Sequence, residues 1–510
     1  MRLLPVLPAL LLCATLQAQP GTAPTGGRIE ILGTDRLEFD RRITAAQRLL
    51  GHVRLQHASA RMGCDSAWLF EDQTLQAFGH VTIDQDTVHV AGDRLDYDGG
   101  QRRATLTGQV RLTDPGMELV SEALTYDLRE RQARYGSGAV ITSRRDQNTL
   151  TSRQGRYLVG ARRFIFSDSV QLRHPERSID ADTLHYTTTT GVAEFFGPTR
   201  LTQGRASMWC ERGSYDTRRG LGRFARNARI EENGQVLRGD SLRYDRTLGL
   251  GEAWGHVVVL DTAEDLLVRG DVGRHWQREE RSMITGRAEL VMLLGGDSLF
   301  LHADTLFASA DSGGARRILA HRHVRFFKSD MQGVCDTMRF SGRDSLITLH
   351  GLPYLWSGRD QVSGRTIAIA LRNGRAHRLD VERDGLLAAD VDSAHFDQVS
   401  GTRLTGWFAG DQLASIDAEG NCRTVYFARE QDTTGERITG VNRADCSRIR
   451  VRLDSGRIET ITFVTRPAAV LYPMEKAPVE ELRMKGFVWN AAARPTDRWA
   501  IFAPVNGSRP

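Results

Sequence analysis

One cycle of about 29 residues runs through most of this chain, and a period of that size dictates its architecture. Each cycle opens on an Asp-x-apolar-x-aromatic-Asp segment, seen at Asp35 to Asp40, Asp93 to Asp98 and Asp240 to Asp245. Looser copies stand at 122–127, 182–186, 211–216 and 336–340. A Gly-x-Val segment follows in each cycle, as in Gly51-His52-Val53, Gly79-His80-Val81, Gly108-Gln109-Val110, Gly138-Ala139-Val140 and Gly255-His256-Val257. Degraded forms begin at Asp168, Gly197 and Gly286. A fixed repeat of this length is one supersecondary unit that buries its apolar face only by stacking on its neighbours. At 510 residues a single compact core is too large, so the repeat selects one long array.

Inside a cycle the period is two. Leu95 and Tyr97 alternate with Arg94, Asp96 and Asp98, the signature of a strand buried on one face. In the next strand Ala104, Leu106, Gly108, Val110 and Leu112 share one face, as Leu75, Ala77, Gly79, Val81 and Ile83 do earlier. Turn signals at Asp98-Gly99-Gly100, Thr113-Asp114-Pro115-Gly116 and Asn233-Gly234 separate the strands. The expected fold is all-β, an elongated β-jelly-roll or V-shaped, solenoid-like stack of antiparallel strands. The recurrent glycine sits mid-strand in the inward phase, where glycine weakens a strand unless the strand bends or something approaches its backbone. Two compatible readings follow: a crease that folds the stack into two facing sheets, and room along the interior for a ligand. The ends of such a stack are open sheet edges, suited to joining partners edge to edge.

Residues 1–18 carry one positive charge, a short apolar run and a small terminal residue, as a secretory signal cleaved after Ala18 does. Lipidation at Cys13 is the weaker reading, because Leu12 is large. Five cysteines then remain. Cys64, Cys210 and Cys335 occupy one phase several rungs apart, too far for disulfides, whereas Cys422 and Cys446 can pair in an oxidising compartment. The net charge of +5 comes with acidic and basic residues interleaved in every repeat, so no basic stripe points to nucleic acid.

The repeats Asp93-Arg94-Leu95-Asp96-Tyr97-Asp98 and Gly79-His80-Val81-Thr82-Ile83, behind an export signal, resemble the OstA-like family. That family comprises β-jelly-roll proteins related to LptA and the periplasmic part of LptD, which carry lipopolysaccharide to the outer membrane. The stretches from Glu419 to Tyr426, Gly440 to Asn442 and Lys485 to Trp489 are similar to its long Bacteroidetes-type members. The resemblance implies a periplasmic, non-enzymatic bridge that shields the acyl chains of lipid A inside a trough. It implies partners among the transport components of the inner and outer membranes, met through the open edges, and no cofactor. The implied chain-lining set is the inward phase: Leu37, Phe39, Val53, Leu55, Val81, Ile83, Leu95, Tyr97, Val110, Leu112, Leu124, Tyr126, Leu242, Tyr244, Val257 and Val259. Shielding a chain there is worth about 0.8 kcal/mol per methylene. The alternative is a structural β-repeat scaffold with a dry core and no lipid cargo.

The repeat is regular over 28–290, loosens over 291–410 and is lost over 411–510, which reads as a cap or a docking segment. Asp180-x-Asp182, Asp390-x-Asp392 and His321-Arg322-His323 have same-face spacing on a strand but no third ligand, so neither a metal site nor a catalytic centre is expected. No nucleophile elbow, phosphate loop or HExxH is present.

Overall fold

Period-two patterning with glycine-bearing turns yields strands and little else. The structure is a computed structural model that describes residues 27–503, apart from 263, 264, 411, 433, 434, 455 and 456. The expected signal, its cleavage after Ala18 and Cys13 lie outside the described residues. Among the described residues are 34 β-strands, five 3-10 turns and no α-helix. Strands pair antiparallel with their sequence neighbours, as Thr74–Gln85 does with Ala60–Leu69 on one side and Val88–Asp98 on the other. The turns obey local chemistry: Pro115-Gly116 places Gly116 at φ 87, and Asn233-Gly234 places both residues at positive φ.

Every cycle contains a crease. In Thr74–Gln85 the residues Gly79 and His80 together face the single residue Asp93 of the next strand, and the register shifts between Phe78 and Val81. This is a β-bulge that bends the strand and sharpens its twist. Gly79 and His80 have φ of 73 and 43, and the same pair of positive angles recurs at Gly51-His52, Gly108-Gln109, Gly255-His256 and Gly286-Arg287. Where the sequence repeat decays, the crease persists with other residues, at Asp168-Ser169, Arg226-Asn227, Arg322-His323 and Arg383-Asp384.

The crease also explains why the two recurring segments travel together. A Cβ on Gly79 would lie 2.3 Å from Oδ2 of Asp65, and one on Gly255 would lie 2.2 Å from Oδ2 of Asp240. The opening Asp of one strand thus lies over the bare glycine of the next and holds the adjacent side chain. His52 meets Asp35 at 2.7 Å, His80 meets Asp65 at 2.8 Å, His256 meets Asp240 at 2.9 Å and Arg287 meets Asp271 at 2.9 Å. These carboxylates are exposed, so the space left by the crease glycines is filled by aspartate at the surface and adds no room to the interior.

The chain divides into two units, residues up to 145 with 151–161, and 146–150 with 162 onward. In the first, the interior is built from directly opposed rows. One runs Leu69, Leu75, Tyr97, Ala104, Tyr126, Ala133, Tyr157, alternating large and small from Tyr97 onward so that neighbours interdigitate. Each tyrosine hydroxyl then reaches a polar partner: Tyr97 meets His57 at 2.6 Å, Tyr126 donates to Gln85 at 2.9 Å and Tyr157 donates to Asp114 at 2.5 Å. A buried phenol needs such a partner.

In the second unit, sequence-order pairing continues past residue 410, through Gln412–Asp432, Gly435–Asp454 and Ala468–Pro473. The repeat fades from view there because strands of 21 and 20 residues stretch the period and Thr465-Arg466 replaces glycine at the last crease. Beyond Pro473 the chain runs back across earlier strands. Met484 N–H donates to Gln398, Asn490 N–H donates to Gln361, and Arg325 donates to the carbonyls of Ala493 and Ala500. Phe487 and Trp489 cover Phe396.

Candidate ligand cavity

The rows of the second unit start like those of the first and then thin out. The tyrosine row reads Phe164, Tyr186, Ala193, Tyr215, Gly222, Tyr244, Gly251, His275, Ser282, each residue directly opposite the next. The small member shrinks from Ala193 to Gly222 and Gly251, and the large one from tyrosine to His275. A second row runs Leu242, Ala253, Gly273, Ile284, with Gly273 where Asp-x-Leu-x-Tyr would place leucine. A Cβ on Gly251 would meet nothing within 4 Å.

Gly251 and Gly273 line a cavity of about 320 Å³, at the lower end of the size range of small-ligand pockets. Its far wall is the opposite inward row, Met208, Ile230, Leu237 and Val259, again in direct register. Arg205, Glu232, Gln235, Arg274 and Gln277 supply polar groups to its lining. The apolar wall and polar fringe together suit an amphipathic molecule with an aliphatic part.

Two titratable members of the tyrosine row are held neutral. Desolvation by the surrounding wall pushes the His275 pKa below the ordinary imidazole value, so the ring is neutral at pH 7, and Nδ1 lies 3.0 Å from Ser282 Oγ. Burial likewise raises the Tyr244 pKa, so its phenol keeps the proton. Among the described residues the Tyr244 hydroxyl has no hydrogen-bond partner, unlike Tyr186, which donates to Asp146 at 2.8 Å. A bound polar group can supply the missing contact.

The sixteen sequence-chosen lining residues fall into three groups. Val53, Leu55, Val81, Ile83, Leu95, Tyr97, Val110, Leu112, Leu124 and Tyr126 are closed core of the first unit. Leu37 and Phe39 are 51% and 49% exposed, at the edge where, among the described residues, Glu30–Gly33 and Arg36–Glu38 pair only with Gln47–His57. Tyr244 and Val259 line the cavity, with Leu242 and Val257 buried. Sequence reasoning missed Gly251, Gly273 and His275. The signal was present, since Asp271-x-Gly273-x-His275 departs from Asp-x-Leu-x-Tyr at both inward positions. The hollow is also local: among Leu290, Leu299, Leu301, Ile318 and Met338 the interior leaves only about 10 Å³.

The paired acidic and histidine positions hold the fold. Asp180 pairs with Arg173, Asp182 lies against Gly197, and His323 pairs with Asp304 at 2.9 Å. Asp392 accepts the turn N–H groups of Ala394 and His395. Cys64, Cys210 and Cys335 are thiols that desolvation raises to a pKa of about 12. Cys422 and Cys446 stand directly opposite each other on neighbouring strands, as free thiols.

Residues 27–182 match the model of the OstA-like protein family, the resemblance drawn from the repeats. No curated protein matches the chain. Among solved structures it is similar to LptH of Pseudomonas aeruginosa, the LptA-homologous periplasmic component of a lipopolysaccharide transport device. That alignment has 16% identity over 27% of this chain and 82% of that one, with a TM-score of 0.14. A second likeness is to the extracellular domain of a putative hybrid two-component system from B. thetaiotaomicron. It has 8% identity over 84% of this chain and 97% of that one, with a TM-score of 0.11. Superpositions this partial carry no weight beside the family match.

Proposed function

We propose that this OstA-like chain is a periplasmic, non-enzymatic carrier for lipids of the lipopolysaccharide class, and that it shields an acyl chain in the cavity between the Tyr244–Gly251–His275 row and the Ile230–Leu237–Val259 row. One observation carries this reading: Gly251, an inward position between Tyr244 and His275, has no atom within 4 Å of where a side chain would begin, and the interior beside it stays open over about 320 Å³. A dry scaffold gains by filling such positions, because each buried Leu-sized side chain contributes about 1.5–3 kcal/mol. Leaving them empty costs stability and is reasonable where hydrocarbon from outside supplies the packing. Each shielded methylene then returns about 0.8 kcal/mol.

The first unit supports a different role within the same molecule. The ten expected lining residues within it are packed shut, while Leu32, Leu37, Phe39 and Ile43 are exposed at its strand edge. That combination favours a structural and docking element, joined to another transport component by strand addition.

The test is mass spectrometry of lipid extracted from gently purified full-length protein, beside the Gly251→Leu variant. Gly251 has room for a larger side chain and no positive φ, so the variant is expected to melt higher and to lose at least about fivefold of its acylated glycolipid. Wild-type protein free of acylated lipid, or a Gly251→Leu variant that keeps it all, would overturn the reading.

A further inference from the structure

The outer face of the same strands carries a second groove, of about 500 Å³, that the carrier reading does not use. Its floor is small and polar, made by Gly213, Ser214, Ala225 and Ser241. Arg223 stands directly opposite Arg243, and Ser214 directly opposite Arg223. Like charges directly opposed across a sheet destabilise it. The local acids reach only one member of the pair. Arg243 reaches Glu252 only at 3.5 Å and shares it with Arg274 at 3.2 Å, while Glu194 is held by Arg163 at 2.7 Å. Among the described residues Arg223 has no hydrogen-bond or ion-pair partner. Arg212 adds a third guanidinium, stacked over Phe196 at 5.7 Å.

The two aromatic rings fix the scale. Phe196, Arg212, Ala225, Ser241 and Trp254 are consecutive directly opposed residues on five strands. At about 4.8 Å per strand the rings of Phe196 and Trp254 bracket roughly 19 Å of groove. That length fits a short oligosaccharide better than a single sugar or a lone anion. Half-buried Trp254 at one end offers an apolar face to a sugar C–H surface, the serine hydroxyls can exchange hydrogen bonds with sugar hydroxyls, and guanidinium forks match phosphate or carboxylate. Single-stranded nucleic acid fits less well, because successive bases stack on aromatics along a groove, and here the rings stand only at its ends.

We infer that this groove, centred on Arg223 and Arg243 and bracketed by Phe196 and Trp254, binds an anionic saccharide. The ligand neutralises the opposed guanidinium pair and rests a sugar ring on Trp254. Sheet backbone separates the groove from the inward row, so binding here is independent of the acyl cavity.

The experiment is calorimetric titration of the full-length chain with an oligogalacturonate, a phosphorylated mannan oligosaccharide, a neutral mannan oligosaccharide, inorganic phosphate and polythymidine. At least one acidic oligosaccharide is expected to bind, about tenfold or more tighter than the neutral one, and the tighter of the two acids identifies the anion. Arg223→Ser should weaken binding about tenfold while the melting temperature holds or rises, because it removes a like-charge pair. Trp254→Ala should weaken the oligosaccharide and leave inorganic phosphate unchanged. The inference is overturned if neither acidic oligosaccharide binds, if the neutral one or inorganic phosphate binds as tightly, if polythymidine binds more tightly, or if Arg223→Ser leaves the affinity unchanged.

Discussion

Gly79 shows how much a single position can carry in this chain. It sits at φ 73 beneath the Asp65 carboxylate, so an alanine there faces both a left-handed backbone and a contact at 2.3 Å. Gly79→Ala should cost about 2 kcal/mol or more in a denaturant melt, and adding Asp65→Ala should recover only the contact, leaving roughly 1–2 kcal/mol of backbone penalty. His80→Ala, in contrast, removes only an exposed pair and should leave the denaturant midpoint essentially unchanged. A second residue-scale effect concerns pH. Asp360 is fully buried, and its pKa is pushed up to about 8 by desolvation and then by the charge of Asp397, which opposes the same Ala389 from the other side. Asp397 is itself raised to about 6 by desolvation, less far because Phe427 N–H and Arg429 hold its charged form. A raised carboxyl pKa means the folded state keeps a proton that the unfolded chain has released. Its stabilising contribution is complete below pH 4 and is lost as pH rises through 8. Stability should therefore fall by an amount on the order of a few kcal/mol between pH 4 and 8 from Asp360, and Asp360→Asn should flatten that slope in melts across the range.

At the scale of the strand, what was legible was whatever repeats. Leu75, Ala77, Val81 and Ile83 share the buried face that alternation assigns them, and the glycine of Gly-His-Val is a crease. The partner of that glycine was not legible, since nothing in spacing says that the Asp of one strand lies on the Gly of the next. The cavity was hidden for a related reason. The eye follows the positions that conform, whereas the hollow is made by those that break the pattern, Gly251, Gly273 and His275. The long strands near the C-terminus were obscured because the crease survives there in Asn421 and Arg466 after the sequence period has stretched. One strand-level pairing can be checked directly. Directly opposed residues in an antiparallel pair have Cα atoms about 4.5–5.5 Å apart, inside the range a disulfide accepts. Cys422 and Cys446 should therefore join, by exchange with an oxidised dithiol of an exported oxidoreductase, when the protein is made in an oxidising compartment. Peptide mapping without reductant should find the two cysteines linked, and quantitative alkylation of both thiols would contradict it.

For the whole molecule, the two units differ in how their interiors are filled. One has interior rows filled by alternating tyrosine and alanine and leaves its apolar side chains at an open edge. The other opens its interior over one group of strands and then closes it again around Leu290 to Met338, while residues beyond Pro473 fold back over Gln361, Gln398 and Phe396. The carrier reading puts lipid at one place, which distinguishes it from a trough greasy along its whole length and from a scaffold with none. The most direct measurement replaces Tyr244 with a photoreactive benzophenone residue of similar size, repeats the replacement at Val258 on the opposite face of the sheet, and irradiates the full-length protein in cells. Acylated glycolipid joined to position 244 and absent from 258 is the expected result. Equal labelling at both positions, or no lipid at 244, would contradict it.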